Sequence, residues 1–343
     1  MSSPLGEELT SAGPIFTRPT TGPGGAPSVG AGRAWLTAWA VAMAALAWGL
    51  MTIGAFVRAS ESGLGCPDWP ACHGRLVAGG HHALIEEIHR WVASILVVGV
   101  VGLALVVFRG HRHERRLWRP MLVVLGLLAL QVVLGGVTVL LRNVSWTVVL
   151  HYAGAALLVA SITLVAVRLA FPAAQPTRPD PFSRLTDWFV VLSLGLLLAG
   201  STVANTDSHT ACGRGFPLCN GTPFPSLNHQ VVINLTHRVW AGAMLALAVW
   251  VLFRSRRDRG GVRPIVRASA VVAALYVIQA ALGIAVLAAG DNTAVEVVHS
   301  SIGSLTWAAL AALFALARTV PSAAARPRKI SGDVANAPEA RSS

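Results

Sequence analysis

Four histidines occur in two copies of one pattern, and each copy places two imidazoles 62 residues apart. When the sequence is shifted by 148 residues, His89 aligns with His237 and His151 aligns with His299. An imidazole in apolar surroundings is costly to bury unless its lone pair binds something, so the duplication predicts two paired ligand sites. The alternative is that each imidazole only hydrogen-bonds a neighbouring helix.

The ligand that suits such a pair is haem. Two neutral imidazoles, with no carboxylate or thiolate at metal-site spacing, favour axial ligation of haem iron over zinc. No Cys-x-x-Cys-His motif is present, so the haem would be non-covalent. Arg90 and Arg238 directly follow the first histidine of each pair and either neutralise haem propionates or reach lipid headgroups. Gln131 and Gln279 are predicted to form interhelical hydrogen bonds.

Carboxylates beside these histidines are candidates for chemistry. Glu86 lies three residues before His89, which places both on one helix face. Burial there would raise the proton affinity of the carboxyl, as acid–base catalysis requires. Asn234 occupies the equivalent position of the second repeat, so one site is predicted to do chemistry and the other to bind or relay. Glu296 in the second repeat weakens this contrast, and Glu87 is expected to meet water or headgroups.

The elements that carry these residues are predicted to be membrane-spanning helices. Hydrophobic residues make up 54% of the 343 residues and charged residues 12%. A helix needs about 20 apolar residues to cross a bilayer. Eight segments qualify: 34–57, 85–108, 119–141, 147–170, 188–205, 232–253, 265–288 and 295–317.

The predicted fold is an all-α integral membrane protein whose eight transmembrane helices form two parallel four-helix bundle repeats. The expected divisions are a disordered tail over 1–33, repeats over 34–171 and 188–318, a Pro-rich linker over 172–187, and a disordered tail over 319–343.

The arginines indicate the topology. They cluster between spans two and three and between spans six and seven, which places these loops and both termini in the cytoplasm. The formal net charge of +12 is therefore a topology signal, and without interleaved aromatic residues it does not predict nucleic-acid binding. Membrane lipid is the expected surrounding. All four histidines then lie near the external ends of their helices.

All four cysteines occur in the two large external loops, as Cys66 and Cys72 in the first and Cys212 and Cys219 in the second. Because these loops face an oxidising compartment, two short-range disulfides are expected. A redox-active pair, or a metal site that includes His73 or His209, is the alternative.

The motifs together resemble a known family. Residues 62–74 read SGLGCPDWPACHG, and Glu86 is followed by His89 and Arg90. With the duplicated histidines and eight spans, the chain resembles the haem A synthase family over about residues 35–317. The resemblance implies a bacterial inner-membrane enzyme that oxidises a porphyrin methyl group of haem O to a formyl group, through an alcohol, to supply haem A to terminal oxidases.

The resemblance also implies roles for single residues. His89 and His151 would hold the substrate haem O, His237 and His299 would hold a permanent haem b, and Glu86 matches the catalytic carboxylate of the family. The implied partners are haem O synthase and terminal oxidase assembly, whereas the electron acceptor is left open. The rival interpretations are a dihaem b-type electron-transfer cytochrome and a haem-binding oxidase assembly factor that converts nothing.

Overall fold

The computed structural model describes residues 29–74, 79–171 and 180–319. Over these ranges the chain forms eight long α-helices and no β-strand. They are α1 Val29–Ala59, α2 His81–Gly110, α3 Arg115–Leu140, α4 Ser145–Ala170, α5 Pro181–Asn205, α6 His229–Arg259, α7 Arg263–Ala289 and α8 Thr293–Thr319. All eight are long and apolar enough to cross a membrane, which confirms the predicted all-α, multi-pass fold class.

All eight helices begin before the predicted spans, and two of them do so by five residues or more. Helix α1 starts at Val29, so residues 29–33, expected in the tail, are helical. Helix α5 starts at Pro181 instead of residue 188. The side chain of Asp180 caps α5 by accepting a hydrogen bond from Ser183 N (2.8 Å), and proline suits the first helical position because it lacks an N–H.

Residues 181–187, predicted to belong to the linker, are therefore the first residues of α5. The parts of the predicted tails and linker over 1–28, 172–179 and 320–343 lie outside the described residues.

Each half of the chain closes on itself. Helices α1–α4, called the first half, pack in sequence, with α1 against α4, and α5–α8, called the second half, repeat this arrangement. Each half has its own apolar core, with Leu103 and Ile162 fully buried in the first and Phe189 and Leu310 in the second. The parallel relation of the two repeats stays a prediction.

The two halves meet along α1, α4, α5 and α8. Trp48 on α1 donates its indole N–H to the carbonyl of Ser301 on α8 (2.9 Å). Trp307 on α8 donates in the same way to Ala156 on α4 (2.7 Å). These bonds satisfy indole groups that would otherwise be costly in an apolar interface. Helices α2, α3, α6 and α7 are left at the periphery of the molecule.

The two long connections lie on one side of the molecule. One joins α1 to α2 and the other joins α5 to α6, and the remaining described connections are short turns. Consecutive spanning helices run in opposite directions, so both long connections emerge on the same side, called here the loop side. Each of the four histidines lies within the first three turns of an even-numbered helix and therefore near the loop side.

Candidate functional site

In the first half, each predicted ligand lies against a glycine of the preceding helix. A β-carbon added to Gly54 on α1 would lie 3.3 Å from Cε1 of His89 on α2. A β-carbon added to Gly135 on α3 would lie 3.5 Å from Cε1 of His151 on α4. The missing side chains let both imidazoles lie directly against neighbouring backbone. We call the pair His89 and His151 the first site.

The second half repeats this arrangement. A β-carbon on Gly200 of α5 would lie 3.0 Å from Cε1 of His237, and one on Gly283 of α7 would lie 3.4 Å from Cε1 of His299. We call His237 and His299 the second site. The sequence carried the signal for these glycines, since all four recur with the histidines, but it did not show that they face the imidazoles.

The two imidazoles of each site lie close enough to interact electrostatically. The buried Nδ1 atoms of His89 and His237 have no hydrogen-bond partner among the described residues. Buried polar atoms in proteins are nearly always hydrogen-bonded, so an unpaired ring nitrogen at the same place in both halves indicates a ligand.

The predicted interhelical role of the two glutamines agrees with the structure. Gln279 on α7 donates to the backbone carbonyl of His299 (3.1 Å), and its Nε2 lies 3.3 Å from both ring nitrogens. Gln131 on α3, with its amide nitrogen facing α4, donates to the carbonyl of His151 (3.1 Å) and accepts from Ala155 N (3.2 Å). Both glutamines therefore fix the backbone next to a site histidine.

Glu86 joins α2 to the external loop of the first half. It is buried, with 4% of its surface exposed. Its Oε1 accepts from Arg90 (2.6 Å) and its Oε2 accepts from the backbone N–H of Cys66 (2.9 Å). The Arg90 guanidinium also donates to the carbonyls of Ala71 (2.8 Å) and Asp68 (3.1 Å). The Arg90 guanidinium therefore donates to the loop as well as to Glu86.

The matching residues of the second half have fewer partners. Arg238 donates through Nη1 to the carbonyl of Gly215 (3.0 Å), while its buried Nη2 has no partner among the described residues. Asn234, which aligns with Glu86, donates to the carbonyl of Ser208 (2.7 Å), and its buried Oδ1 has no partner in the same described ranges. Polar groups are thus left available beside the second site.

Glu87 and Glu296 lie in surroundings that the sequence did not predict. Glu87 is only 6% exposed, so the expectation that it meets water or headgroups is wrong. The external loop lies close to the start of the same helix, where a β-carbon on Gly65 would lie 2.5 Å from the backbone N of Ala83. Glu296 on α8 accepts from Arg58 on α1 (2.8 Å) and so links the two halves.

Both predicted disulfides are present, as Cys66–Cys72 and Cys212–Cys219. Inside the first disulfide loop the carboxylate of Asp68 accepts from the backbone N–H groups of His73 (2.6 Å) and Gly74 (2.8 Å). These bonds lower the pKa of Asp68, the one to Gly74 most strongly.

The two histidines of these loops, His73 and His209, lie close to polar groups of the protein. The Nε2 of His73 lies 3.0 Å from the carbonyl oxygen of Gly65. His209 lies 3.5 Å from the carboxylate of Asp291. With all four thiols in disulfides, the alternative of a cysteine–histidine metal site is not supported.

One contact near the first site was not predicted. The indole ring of Trp69, between the two cysteines of the first loop, packs on Gly136 of α3, where a β-carbon would lie 3.2 to 3.4 Å from three ring atoms. Gly136 follows Gly135, which contacts His151. The available signal was the pair of adjacent glycines in the first repeat, where the second repeat has Gly283 followed by Ile284.

The fold and these contacts define a multi-pass membrane protein with one histidine pair in each four-helix half. The sequence matches the COX15-CtaA family, described as cytochrome oxidase assembly protein, over residues 37–87 and 80–311. The chain belongs to this family.

Curated relatives named "Heme A synthase" are also similar to the chain. One from Symbiobacterium thermophilum is 30% identical, with the alignment covering 80% of this chain and 91% of the relative. Another from Halalkalibacterium halodurans is 28% identical, covering 75% of this chain and 88% of the relative. A third from Alkalihalophilus pseudofirmus is 27% identical, covering 75% and 89%.

Proposed function

We propose that this protein is a haem A synthase that oxidises a porphyrin methyl group of haem O, through the alcohol, to the formyl group of haem A. The observation that carries the proposal is the repeated site, in which two imidazoles from the two even-numbered helices of one half each lie against a glycine. The relatives of that name cover most of the chain and support the same activity.

The donor groups of the second site fit a non-covalent haem b. His237 and His299 would supply two nitrogen ligands to its iron, and Gly200 and Gly283 leave the space that a β-carbon would fill. The unpartnered Nη2 of Arg238 is a free donor for a propionate. Haem b bound there would supply one-electron redox chemistry.

In the first site the haem is the substrate. His89 and His151 would bind the iron of haem O and fix the orientation of its ring. Glu86 is the carboxylate next to this site, and we assign it the task of accepting the proton that leaves the methyl group or of orienting the attacking water. Arg90 positions Glu86, because its guanidinium donates to that carboxylate and to loop carbonyls.

The proposed location is the bacterial inner membrane, with both termini in the cytoplasm and the loop side facing outwards. The arginine clusters between α2 and α3 and between α6 and α7 support this orientation. Haem O synthase as donor and terminal oxidase assembly as recipient are the partners that this activity calls for, and the family description supports the second.

The test is conversion of haem O by the purified protein. Protein in lipid nanodiscs is supplied with haem O in air, and the haems are extracted and separated by chromatography. We expect the hydroxylated intermediate and haem A to accumulate, and to be absent with His151→Ala. Recovery of unchanged haem O from a preparation that binds haem in both sites would contradict the enzyme and favour a haem carrier.

A further inference from the structure

The two halves differ in how closely their peripheral helices pack. Helices α3 and α4 pack as closely as α7 and α8, but α2 and α3 pack less closely than their counterparts α6 and α7. Both pairs lie at the periphery, away from the interface between halves. The first half therefore has a looser seam between α2 and α3 that faces the lipid.

The external loop of the first half is fixed to α2 at one side of this seam. Arg90 on α2 donates to four loop carbonyls, those of Cys66, Asp68, Pro70 and Ala71. Glu86 on α2 accepts from the N–H of Cys66. A loop held by so many bonds and by a disulfide moves with α2 as one piece.

Trp69 crosses from this loop to the other side of the seam. Its indole ring packs on Gly136 of α3, one residue after the glycine that contacts His151. Trp69 is 42% exposed, so the ring covers the helix from outside and is not part of the core. The ring thus bridges the loop-side end of the α2–α3 seam next to the first site.

The second half has different residues at the positions that form this bridge. Phe216 aligns with Trp69, since each precedes the proline two residues before the second cysteine of its loop. Ile284 stands where the first half has Gly136, so a branched side chain, 45% exposed, replaces the bare backbone on which the indole packs. Arg238 donates to one loop carbonyl in place of the four that Arg90 reaches. The loop of the second half is thus less firmly tied to its helix.

We propose that substrate haem enters, and product leaves, the first site sideways from the lipid through the α2–α3 seam, and that Trp69 on Gly136 controls this exchange. The proposal rests on the proposed function, because a substrate must exchange at every turnover whereas a resident haem must stay. Haem O carries an isoprenoid tail besides its polar propionates and partitions into lipid, and a lateral route spares this tail a passage through water. In this proposal Trp69 acts by holding the loop against α3 and takes no part in the chemistry.

Haem exchange without turnover tests this route. Wild-type protein in nanodiscs is loaded with iron protoporphyrin IX, excess apomyoglobin is added, and the transfer is followed in the Soret band. His151→Ala and His299→Ala assign the two phases to the two sites. Because Trp69→Ala removes one aromatic contact, we expect it to speed haem loss from the first site about tenfold and to leave the rate at the second site unchanged.

Two further variants make the test specific. Gly136→Ala places a β-carbon 3.2 to 3.4 Å from the indole, so it should displace the ring and speed first-site exchange less than Trp69→Ala does. Phe216→Ala is the matched control in the second half, and neither rate should change.

The outcomes separate this inference from the proposed function. Equal first-site rates in wild type, Trp69→Ala and Trp69→Phe, with both sites loaded, would overturn the route while the activity stands. If Trp69→Ala does not fold, Trp69→Phe decides, since a smaller ring must still speed exchange. Failure of the wild type to bind haem at the first site would instead overturn the proposed function.

Discussion

The two halves of this protein share their histidines and glycines and differ in what surrounds them. In the first half, Glu86 and Arg90 bond to each other and to the external loop. In the second half, Asn234 and Arg238 keep buried polar atoms without partners among the described residues. The two halves therefore share the histidines and glycines and differ in the polar groups next to them, in keeping with the different tasks proposed for the two sites.

The same contrast holds for the loops. Trp69 packs on a glycine of α3, whereas Phe216 aligns with it in a half where Ile284 occupies the equivalent place. In the first half the loop packs against the outer edge of the bundle, whereas in the second half α6 and α7 pack more closely against each other. The proposed exchange of haem in the first half and its proposed retention in the second would account for this difference without any change in the histidines.

The largest expected effect is loss of haem from one half at a time. His299→Ala should remove the resident haem, and His151→Ala should remove binding of added haem O while the resident haem stays. Each change deletes one of two axial ligands. The ratio of haem to protein, measured by extraction from each purified variant, checks this. Loss of both haems in both variants would show that the halves do not act as separate sites.

A second comparison concerns the residue three positions before the first histidine of each site. Glu86→Ala should lower the rate of haem O oxidation by a factor of about 100 or more, the range typical of general acid–base catalysis, and should preserve haem binding. Asn234→Ala is the matched change in the second half and should lower the rate much less. Turnover measured by chromatography of the haems separates the two, and full activity of Glu86→Ala would remove Glu86 from its role.

A third, smaller effect should result from closing the space beside the imidazoles. Gly200→Ala puts a β-carbon 3.0 Å from His237, a tighter approach than the 3.3 Å between Gly54→Ala and His89. The ring must shift, so we expect haem affinity to fall about tenfold at the second site and less at the first. Gly49→Ala is the control, because nothing lies within 4 Å of the added atom. Haem titration followed in the Soret band gives the affinities.

The sequence predicted those features that repeat or persist along the chain. Eight apolar segments predicted eight helices, and the shift by 148 residues selected the histidines and glutamines. The starts of α1 and α5 were not predicted, because residues 29–33 were assigned to a tail and Pro181 to a linker. Proline suits the first position of a helix as well as a linker, so the residue type alone does not distinguish the two.

The features that the sequence could not predict depend on how loops fold back. Glu87 is buried by residues outside its own helix, and the helical periodicity of α2 does not contain that information. The same holds for the contact of Trp69 with Gly136 and for the ion pair of Arg58 with Glu296. These contacts join residues far apart in the chain, and the Arg58–Glu296 pair joins the two halves, so comparing the repeats could not reveal them.

The halves also differ at the ends opposite the loops. In the first half Glu114, just before α3, accepts from Arg33 (2.6 Å), His111 (2.8 Å) and Arg116 (3.2 Å). In the second half, Arg259 pairs with Asp180. Partial burial raises the pKa of Glu114, but the hydrogen bonds, above all from Arg33, outweigh burial and hold its pKa at about 2.

This cluster predicts the smallest effect, a pH dependence of stability that is specific to the first half. Because the pKa of folded Glu114 lies below its ordinary value of 4.5, its contribution is fully present above about pH 4.5 and is lost as the pH falls towards 2. Glu114→Gln should lower the free energy of unfolding near neutral pH by about 1 kcal/mol, since the cluster is partly exposed. It should also make the free energy of unfolding fall less steeply as the pH is lowered from 4.5 towards 2. Thermal unfolding measured across this pH range tests both points. If the stability of Glu114→Gln falls with pH as steeply as that of the wild type, other carboxylates determine the pH dependence.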